Sequence, residues 1–159
     1  MTTAFYPGSF DPITNGHLDI LKRASSIFDK VILGIYDIPQ KNLLFSVEER
    51  VQLAREASKN FGNVEVTSYS GITVEFARKI GAQVMVRGLR ASSDFEREFE
   101  MALMNKKLAP DVELVCFMAN LRYQFLSSSL LKEIIKLGGN LDDMMPANVS
   151  EAVKKKLLR

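Results

Sequence analysis

The stretch Tyr6-Pro7-Gly8-Ser9-Phe10-Asp11-Pro12-Ile13-Thr14-Asn15-Gly16-His17 joins an apolar run to a helical pattern, and it decides the fold. Residues 3–6 before it are apolar and typical of a buried strand, and residues 18–28 after it carry apolar side chains at helical spacing. The prolines and glycines exclude regular structure between the two, so the chain turns from a strand into a helix N-terminus. Peptide N–H groups at such a helix start favour an anion, and phosphate is the usual one.

His17 is the only histidine of the chain and stands on the first turn of this predicted helix. A helix start lowers the pKa of an imidazole and a bound phosphate raises it, but the ring can donate a hydrogen bond to phosphate in either state. A lone histidine is more often a surface or capping residue. Here Gly8 and Gly16 leave the backbone open to a ligand, and Ser9 and Thr14 add hydroxyl donors, so we favour phosphate binding.

The composition suits one globular domain over residues 1–159, since 47% of the 159 residues are hydrophobic. The formal net charge is only +2 and residues 154–156 form the one basic run, so nucleic acid is not an expected partner. No apolar stretch approaches the roughly 20 residues of a membrane span. Without a signal pattern at the N-terminus, we expect no membrane partner and a cytoplasmic protein. The single cysteine, Cys116, lies in an apolar run and is predicted to be buried.

Apolar runs alternate with helical patterns along the rest of the chain. Further strands are predicted at residues 30–36, 64–67, 83–86 and 112–118. Helices are predicted at residues 46–60, 74–80, 95–108 and 127–137, and a last one from Asn148. Capping boxes are expected at Ser46-x-x-Glu49 and Asn148-x-x-Glu151. This alternation predicts an α/β fold with a doubly wound, parallel five-stranded sheet of the Rossmann-like type.

Ligands of such a sheet bind beyond the carboxyl ends of its strands. The polar residues of interest nearly all follow a predicted strand: they are Ser9, His17, Lys41, Thr73, Arg87, Arg90 and the segment 123–129. A random scatter would not place them in this way. We therefore expect one site at the carboxyl edge of the sheet.

Arg87-Gly88-Leu89-Arg90 puts two guanidinium groups around a glycine after the predicted fourth strand. The two could clamp separate phosphate oxygens, because each offers a planar fork of donors. Alternatively, one or both could pair with Asp94, Glu96 or Glu98 downstream. The spacing alone favours neither arrangement.

Ser127-Ser128-Ser129 opens a predicted helix with three hydroxyl groups. One serine suffices as an N-cap, so the remaining hydroxyls indicate a further role such as phosphate binding. No Gly-x4-Gly-Lys-Ser/Thr loop occurs, and no G-x-G-x-x-G motif follows the first strand. Kinase and dehydrogenase functions therefore lose their main support.

Thr14-x-Gly16-His17, with residues 8–12 before it, resembles the (T/H)xGH signature of the nucleotidylyltransferase superfamily. Later motifs are similar to those of bacterial phosphopantetheine adenylyltransferases: Lys41 ahead of Phe45-Ser46-x-Glu48-Glu49-Arg50, the RGLR-type segment 87–90, and Phe125-Leu126-Ser127-Ser128-Ser129 in place of an ISSS-type motif. The resemblance runs from about residue 5 to residue 148. It implies reversible adenylyl transfer from ATP to 4′-phosphopantetheine, giving dephospho-CoA and pyrophosphate in coenzyme A biosynthesis.

The resemblance also implies roles for individual residues, with His17 stabilising the transition state. The residues implied to bind ATP are Ser9, Phe10, His17, Gly88, Leu89, Arg90, Glu98, Tyr123, Gln124, Phe125, Leu126, Ser127, Ser128 and Ser129. Those implied to bind phosphopantetheine are Ser9, Lys41, Thr73 and Arg87. Two positions depart from the family pattern, since Arg97 stands where an aromatic residue is usual and Arg122 where an acidic one is frequent.

The resemblance implies no metal site in the protein, with Mg²⁺ carried by the triphosphate of ATP, and feedback binding of coenzyme A. Two other functions stay open. One is a nucleotidylyltransferase acting on nicotinate mononucleotide or glycerol phosphate, and the other is a module that binds ATP without turnover. A sensing module would have no use for the acceptor-phosphate residues Lys41 and Arg87, which argues against it.

The predicted helix of residues 95–108 is apolar in more directions than one core-facing stripe requires. Its apolar residues include Phe95, Phe99, Met101, Leu103 and Met104. A helix that is apolar on more than one side is usually buried on more than one side. This pattern agrees with the homohexamer that the resemblance implies, although the same residues could all enter the core of the monomer.

Overall fold

The structure is a computed structural model and describes residues 1–37 and 42–158. Strands and helices alternate along these residues. The strands are β1 (Thr3–Gly8), β2 (Lys30–Tyr36), β3 (Val64–Tyr69), β4 (Val84–Leu89) and β5 (Glu113–Met118). The helices are α1 (Asn15–Ile27), α2 (Val47–Ser58), α3 (Thr73–Lys79), α4 (Ser92–Leu108), α5 (Ser128–Lys136) and α6 (Ala147–Leu157), with short 3₁₀ turns at Leu121–Tyr123 and Asp142–Met144.

The five strands form one sheet in the order β3-β2-β1-β4-β5, and every neighbouring pair is parallel. The predicted doubly wound parallel sheet is therefore confirmed. The chain leaves β1 toward one edge through β2 and β3, and then crosses to β4 and β5 on the other side. This order reverses between β1 and β4, so their carboxyl ends, at Gly8 and Leu89, flank the crevice in which such sheets bind ligands.

The sheet is covered on both faces, which explains why β1 and β2 read as continuous apolar runs. On one face Phe5 is fully buried, and its ring packs 5.2 Å from Tyr69 and 5.4 Å from Phe76, measured between ring centroids. Gly34 on β2 makes this possible, since a Cβ there would lie 2.3 Å from the Phe5 ring. The opposite face packs against α1, α2, α5 and α6 through a second apolar cluster.

Two predicted capping boxes have different outcomes. At α2 the box is confirmed: the backbone N–H of Ser46 donates to Glu49 at 2.8 Å, and Ser46 Oγ accepts from the Glu49 N–H at 3.2 Å. At α6 the prediction is wrong, because the helix begins at Ala147 after Pro146 and has no side-chain cap. Asn148 lies inside the first turn, and its amide instead reaches Glu56 of α2 at 3.2 Å.

The predicted burial of Cys116 is also wrong, because this side chain is exposed. β5 lies at the edge of the sheet. The helix α4, which precedes β5 along the chain, has no buried residue. The apolar residues Phe95, Phe99, Leu103 and Met104 of α4 are each more than half exposed, at 57%, 55%, 60% and 60%. This corner of the described chain is therefore apolar but uncovered.

Within residues 1–37 and 42–158, no helix combines the length and the apolar character that crossing a bilayer requires.

Candidate active site

A cavity of about 340 Å³ opens at the carboxyl ends of β1 and β4, as the topology requires. Its wall is formed by the loop after β1 and by the starts of α1, α4 and α5. The predicted site residues on this wall are Ser9, Phe10, His17, Arg87, Gly88, Arg90, Glu98, Tyr123, Leu126, Ser127, Ser128 and Ser129. Segments far apart in the sequence thus meet in one place.

Four predicted residues do not line the cavity. Thr73 hydrogen-bonds to the hydroxyl of Tyr69 at 3.2 Å, and Leu89 is buried in the protein. Gln124 and Phe125 are exposed. Lys41 lies outside the described residues. The binding roles assigned to all of these residues remain predictions.

The wall also contains residues that the family resemblance does not assign to a substrate, although Gly8, Thr14 and Gly16 were expected near a bound phosphate. These are Tyr6, Pro7, Gly8, Thr14, Gly16, Ile20, Asp94, Arg97 and Ala119. Gly16 has a steric reason to be glycine, because a Cβ there would lie 3.3 Å from Cβ of Tyr123. Most of the others are neighbours of predicted residues along the chain, and proximity to the motifs was the signal that could have found them.

The N-terminus of α1 determines the tautomer of His17. Thr14 is the N-cap, and its backbone N–H donates to Nδ1 of His17 at 3.0 Å. The Nδ1 atom must therefore be an unprotonated acceptor. A neutral imidazole in this geometry carries its proton on Nε2, which leaves Nε2–H as a donor.

Burial in the wall, together with the smaller effects of the nearby positive charges of Arg90 and Arg87, lowers the pKa of His17 to about 4. The side chain is therefore neutral near pH 7 in the free protein. Its ring also packs edge to face on Phe10, with 4.9 Å between the ring centroids. His17 is thus a fixed, uncharged hydrogen-bond donor.

We expect the NMR signals of the imidazole to confirm this state, and they are unambiguous because the chain has a single histidine. Long-range ¹H–¹⁵N spectra of the free protein should show the Nε2–H tautomer from pH 8 to pH 5. The pKa of about 4 lies below the ordinary 6.5, so the stability that His17 contributes is fully present above pH 6.5 and is lost as the pH falls toward 4. A titration midpoint near 6.5 would contradict this assignment.

The loop after β1 is held in an unusual conformation. Phe10 has a φ of 48°, in the left-handed region that costs a non-glycine residue about 1–2 kcal/mol. Its ring is buried between Tyr6 and His17. Gly8 permits this packing, since a Cβ there would lie 2.9 Å from the Phe10 ring.

The buried side chain of Asp11 connects this loop to two other segments of the chain. Its carboxylate is only 3% exposed, and it accepts hydrogen bonds from the backbone N–H groups of Leu44 at 2.8 Å and Phe45 at 2.9 Å. It also pairs with Nζ of Lys132 on α5 at 2.7 Å. The loop after β1, the segment before α2 and the helix α5 are therefore joined through one buried carboxylate.

Arg50 provides a second buried tie and is only 2% exposed. Its Nη1 donates to the carbonyl oxygens of Ser9 and Tyr36, at 2.8 Å each. These carbonyls lie in the loop after β1 and at the end of β2. No role for Asp11, Lys132 or Arg50 was predicted from the sequence. Helical spacing places Arg50 on the same face of α2 as the buried Ala54, and this spacing was the available signal.

The two arginines of segment 87–90 both pair with downstream carboxylates, which is one of the two arrangements left open above. Arg87 meets Glu98 through Nε at 2.9 and 3.0 Å and through Nη2 at 2.8 Å. Arg90 meets Asp94 at 3.2 Å and donates from Nη1 to the carbonyl oxygen of Leu126 at 2.8 Å. Both arginines still line the cavity, so the ion pairs hold two guanidinium-bearing side chains in place at its wall.

The serine cluster has divided roles. Ser127 is the N-cap of α5 and accepts from the N–H of Leu130 at 3.1 Å, while Ser128 donates to the carbonyl oxygen of Pro12 at 2.8 Å. Ser129 makes no side-chain hydrogen bond within the described part of the chain, yet it lies on the cavity wall. One hydroxyl and the helix N-terminus are thus available to an anion.

Comparison with known proteins agrees with this geometry. Residues 5–134 match the cytidylyltransferase-like family. The chain is 55% identical over 155 residues to the phosphopantetheine adenylyltransferase of Roseiflexus sp. (strain RS-1), with 98% of this chain and 97% of the relative covered. It is 50% identical over 156 residues to the phosphopantetheine adenylyltransferase of Alkaliphilus metalliredigens, with 98% and 99% covered.

The chain belongs to the phosphopantetheine adenylyltransferase family.

The fold of this phosphopantetheine adenylyltransferase family member also recurs at low sequence identity. A crystal structure described as a candidate nicotinate-nucleotide adenylyltransferase from Vibrio parahaemolyticus superposes with a TM-score of 0.74 at 20% identity, covering 98% of this chain and 93% of that one. Identity that low shows a common fold only. Among residues 1–37 and 42–158 of the family member, no group of three or more His, Cys, Asp or Glu side chains is placed to hold a metal ion.

Proposed function

We infer that the protein catalyses the reversible transfer of the adenylyl group of ATP to 4′-phosphopantetheine, which yields dephospho-CoA and pyrophosphate in coenzyme A biosynthesis. The observation that carries this inference is the neutral His17, fixed as an Nε2–H donor on the same wall as Arg87 and Arg90 in a chain 55% identical to a phosphopantetheine adenylyltransferase. The likeness to a nicotinate-nucleotide adenylyltransferase stands at 20% identity and shows the fold alone, so it does not favour that acceptor.

The chemistry needs no strong base, because the acceptor phosphate is already an anion at neutral pH. One of its oxygens attacks the α-phosphorus of ATP, and the bond from that phosphorus to the bridging oxygen breaks as pyrophosphate leaves. His17 cannot act as the base, since its Nδ1 is occupied by the Thr14 N–H and its Nε2 carries the proton. It serves as a donor to the charge that grows on the α-phosphate, and catalysis rests on positioning and charge stabilisation.

We propose that Arg90 and the start of α5 bind the triphosphate, while Arg87, Lys41 and Thr73 bind the acceptor. Mg²⁺ enters as part of the substrate MgATP. The described wall supports this, because its two carboxylates, Asp94 and Glu98, are each paired with an arginine, which disfavours a resident cation there. The proposed location is the cytoplasm, where ATP is abundant.

The function is tested by measuring pyrophosphate release from ATP with a panel of acceptors. We expect 4′-phosphopantetheine to support turnover, with nicotinate mononucleotide and glycerol phosphate at least 100-fold less effective in kcat/KM, because a site shaped for one substrate leaves polar groups unpaired with another. Preference for either of the others would refute the assigned acceptor. ATP binding with no turnover on any acceptor would refute the enzyme itself.

We further propose a homohexamer in which α4 lies at an interface. The exposed apolar side chains of α4 support it, because helices apolar on several sides are usually covered on several sides. Light scattering at micromolar concentration should give about six times the 17.9 kDa mass of one chain. Leu103→Glu should shift the protein to smaller species by placing a charge in that contact. A wild-type mass near 17.9 kDa would refute the proposal.

We also propose that coenzyme A binds in this cavity and inhibits. Coenzyme A contains both the pantetheine arm and the adenylyl group of the product, so it can occupy both halves of the site. This would make its inhibition dependent on the concentrations of ATP and of acceptor.

A further inference from the structure

The charges on the cavity wall do not cancel. The charged side chains on the wall are Arg87, Arg90, Asp94, Arg97 and Glu98. Arg87 pairs with Glu98 and Arg90 with Asp94, so each pair is close to neutral when seen from the cavity. His17 is uncharged as well, because its pKa is lowered to about 4. Only Arg97 gives the described wall a net positive charge.

Arg97 lies on α4 between the two carboxylates in sequence and lines the cavity with them. Asp94, three residues before it, is its neighbour on the helix surface, whereas Glu98 directly follows it along the chain. Within residues 1–37 and 42–158, its guanidinium makes no ion pair and no hydrogen bond with the protein. The carboxylates on either side are already held by Arg87 and Arg90. Arg97 thus lines the cavity with five guanidinium N–H donors that have no acceptor within the described part of the protein.

Both substrates of the proposed reaction are anions, and Arg97 adds to Arg87 and Arg90 a positive charge that no carboxylate of the described wall offsets. A guanidinium recognises phosphate oxygens with two parallel hydrogen bonds, and it stays charged at every working pH. The side chain is exposed, so it can move to meet a ligand without first breaking an internal ion pair. Arg87 and Arg90 are by contrast held in place by their carboxylates.

We propose that Arg97 is a phosphate-binding residue of this protein and contacts the phosphate oxygens of the nucleotide in the cavity. The proposal rests on the ATP-binding role of the cavity given under the proposed function. Arg97 stands where an aromatic residue is usual in the family, so the contact is a property of this chain. It touches the substrate rather than another side chain, and its effect should appear mainly in nucleotide affinity.

The test compares Arg97→Gln with wild type and with Lys107→Gln. Lys107 lies on the same helix, is exposed and is absent from the cavity wall, so the control removes the same charge elsewhere on α4. We expect Arg97→Gln to raise KM for ATP by roughly 5- to 20-fold, the range of a hydrogen bond to a charged group, while kcat and KM for phosphopantetheine change less than twofold. Arg97→Lys should recover part of the lost affinity, because lysine keeps the positive charge but lacks the planar guanidinium that donates two parallel hydrogen bonds.

Calorimetric binding of ATP, ADP and AMP without added metal separates a phosphate contact from a subunit contact. If Arg97 binds phosphate, the affinity lost in Arg97→Gln should be largest for ATP and smallest for AMP, because the ligand charge falls in that order. The loss should also shrink as the salt concentration rises. Equal losses for all three nucleotides, with a changed mass in light scattering, would assign Arg97 to a subunit interface and overturn the proposal.

Unchanged affinity for all three nucleotides would leave Arg97 a solvated surface residue and would also overturn it. Failure of the proposed function is seen separately. In that case the wild-type protein releases no pyrophosphate, whereas the nucleotide series is a binding measurement that does not need turnover.

Discussion

His17→Ala should lower kcat by roughly 100-fold or more, while the KM for ATP changes far less, because the lost donor acts on charge that develops in the transition state. The structure supplies the reason for this separation. Nε2–H is a neutral donor fixed from behind by the Thr14 N–H, so it needs no reorientation when the α-phosphate becomes more negative. Steady-state rates of pyrophosphate release at saturating substrates measure the effect.

Two further variants show which nitrogen matters. His17→Asn keeps an acceptor near the position of Nδ1 and can preserve the cap of α1, but it lacks a donor at the position of Nε2. It should lose as much rate as His17→Ala while retaining more of the stability that a cap contributes, which is about 1 kcal/mol. His17→Gln places an amide donor near Nε2 and should recover part of the rate. Near-normal turnover in His17→Ala would refute the proposed role.

Arg87→Ala should raise the KM for phosphopantetheine by roughly 10- to 100-fold, the range for loss of a charge-assisted hydrogen bond to phosphate. The structure adds a complication, because Arg87 also neutralises Glu98, whose side chain is only 12% exposed. Removing the arginine leaves this carboxylate unpaired on the wall, where it repels both substrates. A single variant therefore mixes a lost contact with a new repulsion.

The double variant Arg87→Ala/Glu98→Gln removes that repulsion. If Arg87 binds the acceptor, the double variant should keep the raised KM for phosphopantetheine. Because the resemblance assigns Glu98 to ATP, Glu98→Gln alone is the reference for ATP affinity, and the double variant should match it. Lys41→Ala should show the same preference for the acceptor, as the sequence predicts. Equal losses for both substrates in the double variant would mean that the division of the cavity between nucleotide and acceptor is wrong.

Most of the fold could be predicted from the sequence because its signals are local. Continuous apolar runs, the Ser46 cap and the glycine-rich loop each determine their own segment, and strict alternation leaves few topologies for the sheet. The prediction failed where the outcome depends on what covers a segment. Cys116 lies in an apolar run, but that run forms a strand at the edge of the sheet. An apolar pattern does not predict whether other parts of the protein will pack against such a strand.

The candidate site also has features that local sequence predicts and features that depend on the folded chain. Its motifs identified residues whose positions follow directly from strand ends and helix starts, such as His17 and Ser128. The state of His17 could not be predicted, since burial and the Thr14 N–H that sets its tautomer are properties of the folded chain. The pairing of Arg87 with Glu98 remained undecided for a related reason: two chemically reasonable partners, phosphate and carboxylate, were equally compatible with the spacing.

The ties made by Asp11 and Arg50 have a consequence for how this scaffold can vary. Apart from Nζ of Lys132, the atoms that they hold are main-chain atoms of Ser9, Tyr36, Leu44 and Phe45. A mutation that exchanges the side chain of Ser9 or Leu44 leaves those main-chain atoms, and hence the anchors, in place. Natural selection or directed evolution can therefore change these side chains while the hydrogen bonds that Asp11 and Arg50 make to the main chain are kept.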